Sequence, residues 1–396
     1  MKDIRPIFFH FVIPEYFPER GGIQQSLRRI AGSLLDSYSG SSSAIYVLET
    51  NADDYGNVHF VKNFMKKLSK PLSSSPLAES VKSYKQLRYL SLENLVKYNL
   101  SQNPGYEHLV VSFYASHTGF YSQMVASRFG LKHIASVRGS DYFINFLNHT
   151  SFGSLEFVLK HADHIVTTNN SQRDMFLSLY GTSSSNKLTT IHNAVEAQVP
   201  RFANRHLSTE DRTVRIFTDS GFSYKKGTDQ IIDAFLRVYN EGSKVELIVA
   251  GDIKEEEKAY WKERITCMKD SCGDSFKAIG YQDSVIPWME QSDIFISASL
   301  SEGCSNSRIM ALCMGIPLIS TDNGAISDYP FPMTNTVLVP VGNPSYTASC
   351  IREISRRLID GAVQFSAEEQ EERMRYFSAQ RERMEWASVI DKVLDR

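Results

Sequence analysis

The sequence predicts an α/β protein built from two sheet-and-helix domains that face each other across a cleft, and three observations predict it. Short apolar runs rich in Val, Ile and Phe alternate with longer amphipathic runs through most of the chain. The alternation lapses between Glu196 and Thr213, where "EAQVPRFANRHLSTEDRT" gains charge and proline. It restarts at Val214. Parallel strands need crossovers and crossovers are right-handed, so each half implies a buried, mostly parallel sheet.

In the first half the pattern predicts strands at Ile7–Ile13, Ala44–Glu49, His108–Phe113, His133–Val137, Ile165–Thr168 and Leu188–Ile191. Helices are predicted between most of them, at Ile23–Leu35, Leu87–Tyr98, Gly119–Phe129 and Ser171–Leu179. In the second half the predicted strands are Val214–Ser220, Val245–Ala250, Phe276–Ile279, Ile294–Ala298 and Pro317–Ser320. Helices are predicted at Thr228–Val238, Glu255–Met268 and Asn306–Met314. A charged helical tail begins near Ser366, with Met374, Phe377, Met384, Trp386, Ile390 and Val393 available for packing. "SYSGSSS" and "PLSSSP" read as loops, and no internal repeat is visible. Val61 to Tyr98 mixes Lys, Arg, Tyr and Leu; it reads as a surface helix with solvated lysines, peripheral membrane contact being the alternative.

A chain of 396 residues, 42% hydrophobic and 22% charged, has ample material for two cores. Its net charge of −2 gives no footprint for nucleic acid, so small or neutral partners are expected. Five cysteines, odd in number and without CxxC spacing, point to reduced thiols in a cytoplasmic protein. "MKDIRPIFFHFVIP" reads as a first strand and not a signal peptide, and no run is long and apolar enough to cross a bilayer. His161 and His164 in "HADH" read as structural, with no third metal ligand nearby.

The chemistry is expected beyond the carboxyl ends of the strands, where open α/β sheets bind ligands. Ser301, Glu302 and Gly303 leave a strand there, and the helix that follows opens with the small, polar "CSNS". Its free N–H groups and positive dipole end suit an anion, most simply a phosphate. Glu302 beside such a site is best used as an acceptor for hydroxyls, and a phosphorylated sugar offers both groups. Gly21 and Gly22 precede another helix with polar Gln24, Gln25 and Ser26 in its first turn. Lys225 and Lys226 follow the first strand of the second half, where an ammonium neutralises a diphosphate. "RGSD" sends Arg138, Gly139, Ser140 and Asp141 off a first-domain strand, and His117 stands at a helix start nearby.

These residues carry a resemblance. "KKGTDQIIDAF", "VELIVAGD", "YQDSVIPWMEQSDIFISASLSEGCSNSRIMALCMGIPLIS" and "RMEWASVIDKVL" resemble the donor-binding half of glycosyltransferase family 4, retaining enzymes of GT-B architecture. "GGIQQSLRRIAGSL", "RGSD", "DHIVTTNNSQRDMF" and "TTIHNAV" are similar to its first half. The resemblance implies an acceptor domain over 1–195, a linker over 196–213 and a nucleotide-sugar domain over 214–377, with a last helix near 378–396 crossing back to the first domain. It implies a UDP- or GDP-linked donor, a glycan or lipid-linked acceptor, surface polysaccharide or glycoconjugate synthesis, and a place in the cytoplasm or at the inner membrane face. Carried over by position, Lys226 meets the diphosphate, Glu302 the donor sugar, and the backbone of Ser305, Asn306 and Ser307 the distal phosphate. Gly21, Gly22, Lys225, Gly251, Asp252, Gly303 and Met310 complete the donor side. Arg138, Asp141 and His117 form the acceptor side, with Asp141 or Arg138 near the reacting hydroxyl.

Three positions depart from the family pattern. Met310 stands where a second Glu receives ribose hydroxyls, Gly221 where many members have Arg, and Arg138 where many have His. Retaining transfer of this kind is described as front-face attack, in which the leaving diphosphate takes the acceptor proton, so Glu302, Lys226 and Asp141 are the expected catalytic group. No DxD triplet is present and no metal or other cofactor is expected. The departures leave two alternatives, a non-catalytic GT-B partner subunit and a nucleotide-sugar epimerase.

Overall fold

The computed structural model describes residues 5–16, 22–49, 54, 56–62, 84–139, 141, 149–195, 199–201, 213–253 and 255–396. The chain divides into two compact units, Met1–Asn193 with Ala379–Arg396, and Ala194–Ser378. Most of the expected linker, "PLSSSP" and most of "VKNFMKKLSK" lie outside the described residues.

In the first unit seven parallel strands stand in the order β3-β2-β1-β4-β5-β6-β7. They are β1 (Ile7–Ile13), β2 (Ser42–Val47), β3 (Val58–Phe60), β4 (Glu107–Phe113), β5 (Lys132–Ser136), β6 (His164–Thr167) and β7 (Leu188–Thr190). The helices are α1 (Gly22–Ser37), α2 (Tyr84–Gln102), α3 (His117–Phe129), α4 (His149–His161) and α5 (Asn170–Tyr180). β1 is paired on both sides, to β2 and β4, which is why its sequence is almost continuously apolar.

His10 is the exception on β1, fully buried, and its two ring nitrogens are both satisfied. Nδ1 lies 2.9 Å from the Tyr46 hydroxyl and Nε2 lies 3.0 Å from Nδ1 of His108, whose own Nε2 is 2.9 Å from the Asn103 carbonyl. A carbonyl only accepts, so His108 Nε2 donates, His10 Nε2 donates to His108, and Tyr46 donates to His10. One proton pattern satisfies the whole chain, with both rings neutral.

The last helix, α12 (Ala379–Val393 once the second unit's helices are counted), closes the first unit. Trp386, Val389, Ile390 and Val393 join Phe9, Phe11 and Leu27 in one core. Glu382 makes a buried, two-pronged pair with Arg29 of α1, at 2.6 and 2.9 Å. Met384 does not pack as the sequence suggested. It is 63% exposed, because the buried stripe runs through 382, 386, 389, 390 and 393 and leaves 384 on the far side.

In the second unit six parallel strands stand in the order β10-β9-β8-β11-β12-β13. They are β8 (Val214–Thr218), β9 (Val245–Ala250), β10 (Phe276–Gly280), β11 (Ile294–Ser297), β12 (Leu318–Thr321) and β13 (Thr336–Val339). Its helices are α6 (Thr228–Asn240), α7 (Lys258–Cys272), α8 (Ile286–Glu290), α9 (Asn306–Met314), α10 (Pro344–Ile359) and α11 (Ala367–Tyr376). Apolar cores cover both faces of this sheet. All five cysteines are free thiols. Among the described residues no helix is long and apolar enough to cross a membrane.

Candidate active site

In each sheet the strand order reverses between the first strand and its later neighbour, β1 with β4 and β8 with β11, and such switch points are where open sheets bind ligands. In the second unit the loops leaving β8 and β11 meet at this point. β8 stops at Thr218, short of the predicted Ser220, because Gly221 turns with φ +59° and crosses the end of β9 at Gly251, φ +112°. A Cβ on Gly221 would stand 2.8 Å from the Asp252 carbonyl oxygen, and one on Gly251 2.6 Å from the Gly221 Cα. No arginine fits at Gly221 without moving this crossing. Gly251 and Asp252 therefore shape the loop: Gly251 donates to the Gly280 carbonyl at 2.7 Å, and Asp252 accepts from the Phe222 N–H at 3.1 Å.

The chain then makes one tight turn through Tyr224, Lys225 and Lys226. Gly227 ends it with φ +66°, where a Cβ would lie 1.9 Å from the Ala298 carbonyl oxygen at the end of β11. Leu300 donates its N–H to the Lys225 carbonyl at 2.9 Å. This backbone contact brings Lys226 Nζ to 2.5 Å from Glu302 Oε1, and the Ser299 hydroxyl donates to the same oxygen at 2.8 Å.

Burial opposes ionisation of Glu302, but the charges of Lys226 and then Arg308, with the hydrogen bonds from Lys226 and Ser299, hold its carboxyl down at about 2. Burial alone would lower the Lys226 pKa, yet Glu302 and then Asp219 outweigh it and the pKa is raised. Both groups are ionised across the physiological range.

α9 begins beside the pair. Ser305 is its N-cap, accepting the Arg308 N–H, and Ser305 Oγ lies 3.2 Å from Ser307 Oγ. Gly303 is buried and its carbonyl accepts from Ala325. Asn306, the first residue of α9, is half-buried. Met310, one turn on, packs against the apolar cluster beneath α9, so no carboxylate stands where the family pattern has one.

Two site residues were missed by sequence reasoning. Arg308 is 2% exposed and its fork is spent on Ser297 Oγ (2.9 Å), the Asn323 carbonyl and side chain (both 3.0 Å) and Thr321 Oγ1 (3.1 Å). It ties the loops after β11 and β12 together while its charge acts on Glu302 and Asp219. Asp219, one residue past β8, accepts a hydrogen bond from Ser307 and neighbours Lys226 and Glu302. Its place directly after an apolar strand that leads into the Lys226 turn was the available signal.

In the first unit, Gly22 opens α1 and is exposed, whereas Gly21 lies outside the described residues, as does Ser140 of "RGSD". His117 opens α3 and is exposed. The expectation that Asp141 meets a reacting hydroxyl does not fit its surroundings. It is fully buried and accepts backbone N–H groups from Ala115 (2.8 Å), Ser116 (3.0 Å) and Arg138 (3.1 Å), fastening the loop after β5 to the start of α3. Burial raises its pKa, and those hydrogen bonds hold the rise back. Arg138 is also buried, its guanidinium 4.8 Å from the centre of the Phe113 ring and 3.4 Å from Asn193 Oδ1. Tyr114, between β4 and these loops, has φ +77°, a strained setting for a bulky residue. His161 bonds the Phe157 carbonyl and His164 bonds Thr189, so the two histidines serve separate elements. Among the described residues no cluster of three or more His, Cys, Asp or Glu could hold a metal.

Comparisons with known proteins agree with this architecture. Residues 214–357 match the family Glycosyl transferases group 1. An uncharacterised glycosyltransferase, MJ1059 of Methanocaldococcus jannaschii, is 27% identical over 173 residues, which span 42% of this chain and 41% of that protein. Anabaena HepE, solved in complex with UDP, superposes with a TM-score of 0.72 at 15% identity, covering 97% of this chain and 99% of HepE. Sucrose-phosphate synthase of Thermosynechococcus elongatus gives a TM-score of 0.73 at 14% identity, covering 99% of this chain and 100% of that one. The fold is therefore GT-B, with two Rossmann-like units, and residues 214–357 of the second unit resemble the glycosyl transferases group 1 family.

Proposed function

We propose that the protein is a retaining, metal-independent glycosyltransferase that moves a sugar from a nucleotide-sugar donor to a hydroxyl acceptor during surface polysaccharide or glycoconjugate assembly. The observation that carries this reading is the Lys226–Glu302 pair, held by a backbone contact at the β8/β11 switch point beside the Ser305-capped start of α9. A donor diphosphate placed there takes its counter-charge from Lys226 and the helix end, and Glu302, ionised, accepts from sugar hydroxyls. Stabilising the departing diphosphate is then the main catalytic contribution, and the acceptor proton leaves on the phosphate. The HepE complexes with UDP and UDP-glucose support UDP-linked sugars as the first donors to try.

Asp141 enters as a positioning residue for Arg138 and the loop after β5. The reading is tested by incubating the purified chain with UDP- and GDP-sugars and cell glycan extracts, with and without EDTA, and following nucleotide release and sugar transfer. Transfer that survives EDTA and keeps the anomeric configuration is expected.

One other reading has a specific observation behind it. Met310 sits in an apolar cluster and Gly221 admits no side chain, so two usual ligand positions are filled by structure. A non-catalytic partner subunit fits those two facts, and failure of every nucleotide to bind selects it.

A further inference from the structure

The α9 end of the site already holds an anion of the chain's own. The Arg308 N–H is accepted by Ser305 Oγ, Ser305 Oγ lies 3.2 Å from Ser307 Oγ, and Ser307 donates to the Asp219 carboxylate. Since Ser307 spends its proton on Asp219, Ser305 donates to Ser307, and the bonds run in one direction from the helix end to the carboxylate. A negative group is stabilised at a helix N-terminus, and a phosphate uses the same donors for the same reason. Lys226 is shared as well: its Nζ lies 2.5 Å from Glu302 Oε1, and Asp219 acts on its charge.

We infer that Asp219 is a placeholder for the donor's terminal phosphate, which must displace or neutralise it, so that Asp219 sets donor affinity. The inference rests on the proposed nucleotide-sugar site. The charged groups that face Asp219 are Lys226 on the turn after β8, Glu302 on the loop after β11 and Arg308 on α9, so that with Asp219 itself the set holds two positive and two negative charges. A diphosphate entering this balanced set meets two carboxylates with no surplus of positive charge, and removing one carboxylate relieves that repulsion. Burial raises the Asp219 pKa, so falling pH neutralises it before an ordinary carboxylate.

The test is UDP titration of the full chain by calorimetry at pH 8 and pH 5, for wild type, Asp219→Asn and Ser307→Ala, with thermal melts as the check on folding. Asp219→Asn is expected to bind UDP about tenfold tighter at pH 8, with a smaller advantage at pH 5. The phosphate's own ionisation near about pH 6 is common to both proteins and cancels in the ratio. Ser307→Ala removes a bond to the ionised form of Asp219, so its affinity is expected to begin rising at a higher pH than that of wild type. Equal or weaker binding by Asp219→Asn at pH 8, or an advantage that ignores pH, overturns the inference while leaving the nucleotide site standing. No UDP or GDP binding by any of the three at either pH overturns both.

Discussion

The two sheets bury their polar groups in opposite ways. In the first unit His10, His133 and His164 sit within the strands as neutral rings, each bonded to a neighbour, and a deeply buried ion pair, Arg29–Glu382, fastens a helix. In the second unit four charged groups, Lys226, Glu302, Arg308 and Asp219, gather where strand order reverses, while Arg373 and Asp293 are buried elsewhere. No histidine follows His206 in the sequence. Polarity within the first sheet's strands is used up by the fold, whereas the second unit gathers a nearly balanced set of charges at one loop crossing. The two units should therefore answer differently to the same insults.

The largest difference is expected from Glu382→Ala, which strands Arg29 inside the first unit. Breaking a buried pair of this kind costs about 3–5 kcal/mol. Hydrogen exchange should show lost protection in the first sheet and none in β8–β13; equal loss in both would break the comparison. Next come Lys226→Ala and Glu302→Ala, each expected to lower kcat/KM by about 10²–10³ with the second unit still folded but melting lower, as for loss of one preorganised charge from a pair that also contributes to stability. Near-normal turnover in both variants would remove the site.

Acid separates the units further. Burial lowers the pKa of His10 and His133 to about 3, so the unfolded chain, near 6.5, binds protons that the folded one refuses. Their contribution is fully present above pH 6.5 and is lost as pH falls toward 3, at up to about 1.4 kcal/mol per pH unit for each. Glu302 is shifted in the same direction, to about 2, but from the lower carboxylate range, so its contribution is present above that range and fades only as pH falls from there toward 2. Urea unfolding between pH 7 and 5 should weaken the first unit first. The smallest expected effect is Ser305→Ala, about 1 kcal/mol from the lost cap of α9, read as a small fall in the second unit's melting temperature.

Much of this was legible in the sequence. Buried parallel strands such as β1 and β9 are nearly all apolar, and Glu302 and Lys226 announce themselves by following strands. The short edge strands β3 and β13 were missed, although β7 and β12, equally short, were read, and α4 and α10 went unread. Met384 misled because apolar character does not fix a helix face, while the role of Glu382 went unread because its partner lies 353 residues away. Asp141 was expected near a reacting hydroxyl, but the N–H of Arg138 in its own turn and those of Ala115 and Ser116, distant in sequence, converge on it. Asp219 and Arg308 acquire their roles only when β8, β11 and β12 stand side by side.

The central claim is that Lys226, Glu302 and the start of α9 together form the seat of a nucleotide sugar. A crystal structure of the chain soaked with UDP-glucose tests it most directly. The account predicts the diphosphate within hydrogen-bond reach of Lys226 Nζ and the first N–H groups of α9, with sugar hydroxyls on Glu302. A nucleotide bound elsewhere, or an intact Lys226–Glu302 pair beside an empty site at saturating ligand, would contradict it.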